Sequence, residues 1–119
     1  MAKDVYINRT IESILKRAAE EFPAIVLTGP RQSGKTTLLK RLFGSSHLYV
    51  SLEPPDINAA AKEDPRGFLN TYPPPVIFDE VQYAPDLLIY INELIDADRT
   101  TCGKFLLTGS LNLLLTQNV

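Results

Sequence analysis

Cysteine and histidine occur once each in this chain, and tryptophan does not occur. Cys102 therefore has no partner for an internal disulfide, and no Cys or His cluster is available to hold zinc. No apolar run is long enough to span a bilayer, and Met1-Ala2-Lys3-Asp4 does not open a signal peptide. These absences set the expectation of a protein of the reducing cytoplasm, with no membrane partner. Cys102 reads as a loop thiol and His47 as a strand-edge residue, not a catalytic base. A charge excess of either sign is missing too: 12 basic against 14 acidic residues leave a formal net charge of −2. Nucleic acid is thus not indicated as a partner of the chain as a whole. At 119 residues the chain holds at most one domain, and no repeat or low-complexity linker divides it.

What is present is concentrated in three stretches. Gly29 to Thr36 reads GPRQSGKT and meets the phosphate-binding pattern G-x-x-x-x-G-K-[ST] at every fixed position. The flanks fit as well. Ala24-Ile25-Val26-Leu27 is a short apolar strand candidate, and Thr37 to Phe43 carries its apolar residues on one helical face. Gly29 and Gly34 let the backbone turn tightly and approach a phosphate without a Cβ in the way. The anion then sits on the N-terminus of the following helix. Lys35 is expected to reach the β- and γ-phosphates, and the Thr36 hydroxyl to ligate Mg²⁺. The nucleotide-binding candidates are Gly29, Pro30, Arg31, Gln32, Ser33, Gly34, Lys35, Thr36 and Thr37. The plainer reading, a glycine turn with a surface lysine, does not explain eight positions set between a strand and a helix.

The second stretch, Val76-Ile77-Phe78-Asp79-Glu80, is an apolar run that delivers two carboxylates at its C-terminal end, where an open α/β sheet binds its ligand. Asp79 is a candidate metal residue together with Thr36, and Glu80 can polarise an attacking water. Alone, two acids at a strand end would read equally well as the start of a solvated loop. The third stretch, Phe105-Leu106-Leu107-Thr108, is a further apolar strand leading to Gly109-Ser110, where the Ser110 hydroxyl would lie beside a γ-phosphate or cap the next helix.

Between these lie ordinary structural signals. Ile11, Ile14, Leu15, Ala18, Ala19 and Phe22 form the stripe of an amphipathic helix, with Thr10 as N-cap and Pro23 as stop. Arg9 or Ile11 could border the base of a nucleotide. Gly44 closes the helix after the loop, Leu48 to Leu52 is a second strand, and Asp56 caps a short helix through Glu63. Asp64-Pro65 starts another helical turn, and Pro73-Pro74-Pro75 forces an extended loop. Pro85 and Asp86 open a helix striped by Leu87, Leu88, Ile91, Leu94 and Ile95, and Leu111 to Gln117 opens another.

GPRQSGKTTLL, FDEVQ and LLTGS, in this order, resemble the core of a family of prokaryotic AAA-type ATPases of the wider AAA+ class. The resemblance covers nearly the whole chain. It implies an α/β fold with a parallel sheet of about four strands flanked by helices, the Ser110 strand lying between the loop strand and the Asp79 strand. It also implies that Gly29 to Thr36 is the Walker A loop, that Asp79 and Glu80 are the Walker B pair, and that Ser110 is the sensor-1 residue. Glu80, Lys35 and Ser110 would then be catalytic, and ATP and Mg²⁺ the ligands. Such proteins continue into further core elements and a C-terminal domain, whereas no fifth strand, lid or arginine-finger candidate can be read here. The expectation is therefore of residues 1–119 as the N-terminal part of an ATP-binding domain, with helix 1–23 before P-loop core 24–119. Self-association, or a neighbouring subunit supplying the arginine, belongs to the same expectation. Two other functions share the loop: a nucleotide-gated switch with negligible hydrolysis, and a phosphotransferase, against which Glu80 argues.

Overall fold

The computed structural model describes the backbone of residues 2–30 and 34–109, with side chains from residue 10 onward. Arg31, Gln32, Ser33, Ser110 and the helix expected at 111–117 lie outside the described residues, as does the side chain of Arg9. The chain runs α1 (Ala2–Glu21), β1 (Ala24–Thr28), α2 (Lys35–Phe43), β2 (Leu48–Ser51), α3 (Pro55–Glu63), α4 (Pro65–Thr71), β3 (Val76–Asp79), a 3₁₀ turn (Val81–Tyr83), α5 (Leu87–Ala97) and β4 (Phe105–Gly109).

Among the described residues, each short apolar run forms a strand and each longer striped segment a helix. The strands form one parallel sheet in the order β1-β4-β3-β2, so β4 sits between the loop strand and the Asp79 strand. Alternation along the strands sorts the core onto two faces. Ile25, Leu27, Ile77 and Leu106 meet Leu15 of α1 and Leu38, Leu39 and Phe43 of α2. Val50, Val76, Phe78, Phe105 and Leu107 meet α4 and α5 through Phe68, Leu87 and Ile91, and the Phe78 and Phe105 rings stack 6.5 Å apart. Burial of such side chains contributes about 1.5–3 kcal/mol each. β1 is the outer strand on its side, and Val26 is 47% exposed there.

Two helix starts differ from the sequence expectation. α1 begins at Ala2, so Thr10 is an interior residue; no glycine or proline interrupts residues 2–10, and the helix continues through them. α3 takes Pro54 as N-cap and Pro55 in its first turn, which moves Asp56 inside the helix, where an acid favours the dipole. At α4 the expectation holds: Asp64 is the N-cap, and its Oδ1 accepts the Gly67 N–H at 3.1 Å. A Cβ on Gly67 would stand 2.2 Å from Asp64 Oδ2, so a side chain there would push the capping carboxylate aside.

The turn before β4 ties three elements together. Gly103, in the left-handed region at φ 69°, donates its N–H to Phe22 O at 2.8 Å, and Lys104 N donates to Pro23 O at 2.9 Å. His47, beside the start of β2, bonds Gly103 O through Nε2 at 2.7 Å and takes Ser46 Oγ at Nδ1, 2.8 Å away. Its role here is to anchor that turn.

Candidate functional site

Because all four strands are parallel, Thr28, Ser51, Asp79 and Gly109 end on the same edge of the sheet. The loop after β1 opens there and delivers the N-terminus of α2 to that edge. Gly34, immediately before the helix, has φ 89°, and nothing lies within 4 Å of where a Cβ would stand. Glycine is required there by conformation, not by space. Leu38 N–H donates to Gly34 O at 3.0 Å, so α2 starts from Gly34, and its N-terminal end, the end that favours an anion, stands at this edge.

Lys35, expected to reach the phosphates, is turned back onto the loop in this structure. It is 8% exposed, and Nζ donates to Gly29 O at 2.9 Å and Pro30 O at 2.7 Å, bracing the loop from inside. Thr36, one residue on, sends its hydroxyl proton to Asp79 Oδ1 at 2.8 Å. The two motifs singled out in the sequence therefore meet.

Asp79 is 5% exposed and accepts from three hydroxyls: Thr36 and Thr108 on Oδ1, and Tyr49 on Oδ2 at 2.6 Å. No ion pair reaches it from the described residues. A buried carboxylate held only by neutral donors is a favourable neighbour for a cation, since burying an unpaired charge is costly. A carboxylate beside a hydroxyl is the hard oxygen donor set that suits Mg²⁺, which takes one or two carboxylates and completes its shell with water and phosphate oxygens. No group of three or more His, Cys, Asp or Glu that could hold a metal by themselves occurs among the described residues. Thr36 and Asp79 thus fit Mg²⁺ arriving with a phosphate ligand better than an all-protein metal cage.

Glu80 follows in the left-handed conformation, φ 62° and ψ 53°, which costs a residue with a Cβ about 1–3 kcal/mol. Its N–H is tied to Thr108 Oγ1 at 2.9 Å. Thr108, fully buried on β4, thus uses one hydroxyl to accept from Glu80 and to donate to Asp79. Ile11, considered as a base contact, packs beside the core that α1 shares with α2.

Thr108 and Tyr49 were not singled out in the sequence. A lone hydroxyl in the apolar run Phe105-Leu106-Leu107-Thr108 was a legible signal for the first. Tyr49 offered none, because its reach to Asp79 depends on β2 lying against β3 in the register Ser51↔Asp79. Burial first, and the Asp79 carboxylate second, push the Tyr49 phenol well above its ordinary pKa, so it remains a donor. The Lys40 ammonium lies 4.0 Å over the centre of its ring.

A family model described as an AAA domain matches residues 21–119. Two relatives, the uncharacterized protein Mb2031c of Mycobacterium bovis and the uncharacterized protein Rv2008c of Mycobacterium tuberculosis, are each 36% identical over 104 residues. These matches cover 87% of this chain and 23% of each relative, so the chain spans under a quarter of their length. No solved structure matches it. No described helix is long and apolar enough to cross a membrane. With its loop, four-stranded parallel sheet and a family match over residues 21–119, the chain belongs to this AAA-domain family, whose character is that of P-loop ATPases.

Proposed function

We propose that the chain binds ATP with Mg²⁺ at the loop 29–37 and is the N-terminal part of an AAA+ ATP-binding domain whose full-length protein hydrolyses ATP. The observation that carries this reading is the 2.8 Å bond between Thr36 Oγ1 and Asp79 Oδ1, which joins two separate motifs at the ligand-binding edge of the sheet. The N–H groups of the loop and of the first turn of α2 bind phosphate oxygens. Lys35 exchanges its contacts with Gly29 O and Pro30 O for the β- and γ-phosphates. Thr36 and Asp79 hold Mg²⁺. When bound, that ion neutralises charge on the phosphates. Glu80 takes a proton from water at its carboxylate, and Ser110 reads the γ-phosphate. Efficient turnover also draws on an arginine from a neighbouring subunit, a group contributing roughly 10³–10⁵ in rate in related enzymes.

Phosphate release measured beside transfer to added acceptors tests the reaction class. Release without transfer is expected for a full-length protein of this family carrying these residues. Transfer would indicate a phosphotransferase, and binding without either would indicate a nucleotide-gated switch.

A further inference from the structure

Tyr49 stands on β2, at the opposite side of the sheet from the loop strand, yet its hydroxyl reaches Asp79 Oδ2 at 2.6 Å. The other oxygen is held by Thr36 and Thr108, so donors from β2, α2 and β4 fix both ends of one carboxylate. A carboxylate bonded at one oxygen alone can still turn, because its terminal torsion is broad and two-fold. The phenol removes that freedom. A short O–H bond to a charged acceptor belongs to the stronger class of hydrogen bonds, and the ring that carries it is steadied by Lys40 from α2.

We propose that Tyr49 is a positioning residue for the metal half of the site: by fixing Oδ2 it holds Asp79 in the orientation that serves the Mg²⁺ of a bound nucleotide. This rests on the Mg-ATP reading above. In this role Tyr49 touches neither nucleotide nor metal, and its effect passes wholly through Asp79. Two consequences separate it from a general structural contact. Loss of the phenol hydroxyl raises the Mg²⁺ requirement for nucleotide binding while binding in chelator stays as it was. In an Asp79→Asn background, the same loss has no further effect.

The test is a titration of a fluorescent ATP analogue against the parent, Tyr49→Phe, Asp79→Asn and the double variant, over a range of Mg²⁺ and in excess EDTA. The half-saturating Mg²⁺ concentration is expected to rise about tenfold in Tyr49→Phe, with the affinity in EDTA unchanged and no added effect in the double variant. An unchanged or lower Mg²⁺ requirement would overturn the proposal, the lower one marking the phenol as a competitor of the ion. Equal losses with and without Mg²⁺ would also overturn it. If Tyr49→Phe does not fold, the parent and Asp79→Leu decide: equal Mg²⁺ requirements would show that Asp79 has no orientation worth holding. A parent with no Mg²⁺-dependent binding would bring down the Mg-ATP reading itself. A parent that has such binding, matched by Tyr49→Phe, would remove only the role of Tyr49.

Discussion

Thr36 donates its hydroxyl proton to Oδ1 of Asp79 across 2.8 Å, although 43 positions separate them. The direction of this bond matters: the proton points at the carboxylate, which leaves the lone pairs of the Thr36 oxygen free for a cation. α2 sets one partner and β3 the other, with β4 lying between the loop strand and β3. Thr36→Val, which keeps the shape and loses the hydroxyl, is expected to weaken Mg²⁺-dependent ATP binding about tenfold or more, and binding in EDTA little. Calorimetric titration in both conditions checks it. Equal losses in the two would remove Thr36 from the metal site.

Thr108 is fully buried and serves Glu80 N–H and Asp79 with one hydroxyl. Thr108→Val leaves the Glu80 N–H without its acceptor and is expected to cost about 1–3 kcal/mol of stability. Thr108→Ser keeps the hydroxyl and should lose only about 0.8 kcal/mol with its methyl group. Urea midpoints of the two variants make the comparison, and a valine variant as stable as the serine one would refute the bridging role.

Glu80 is the residue on which binding and chemistry should part. In a full-length protein of the family carrying these motifs, Glu80→Gln is expected to keep nucleotide affinity and to lose on the order of 10²–10⁴ in turnover. Hydrolysis at the parental rate would exclude Glu80 as the base. The left-handed backbone at this position supports the assignment, since strain of this kind concentrates at functional sites.

The turn after α5 gives a pH dependence. Hydrogen bonds from the Thr100 and Thr101 hydroxyls and from Thr100 N–H hold the Asp98 carboxyl down to about 2, below its ordinary 3.8. A carboxyl with a depressed folded-state pKa contributes stability that is present above the unfolded value and lost as pH falls through the folded one. Asp98 is solvent-exposed, so the contribution is small and screened. Denaturant midpoints should fall between pH ~4 and pH ~2 slightly less in Asp98→Asn than in the parent. An identical slope would contradict the capped turn.

Most of the sheet could be read from the chain because each strand is a short apolar run between glycine, proline or polar punctuation, as at Val76–Asp79 after the three prolines. The meeting of Thr36 with Asp79 was legible too, since each stands at a fixed place in its own motif. What escaped reading was tertiary. Tyr49 reaches Asp79 only through the register of two strands far apart in sequence, and Lys35 folds onto carbonyls that no spacing rule names. Thr10 and Asp56 failed as caps for a local reason: helical backbone continued past the residue with the best capping side chain.

The central claim is that the loop from Gly29 to Thr36 binds a nucleotide through Lys35, and thermal unfolding with and without Mg-ATP tests it most directly. At a hundred times its dissociation constant, the ligand should stabilise the parent by about 2.7 kcal/mol, a rise in Tm of roughly 10 °C. Lys35→Ala is expected to melt somewhat lower without ligand, having lost its bonds to Gly29 O and Pro30 O, and to gain nothing when Mg-ATP is added. Equal ligand-induced shifts in the parent and in Lys35→Ala would contradict the assignment.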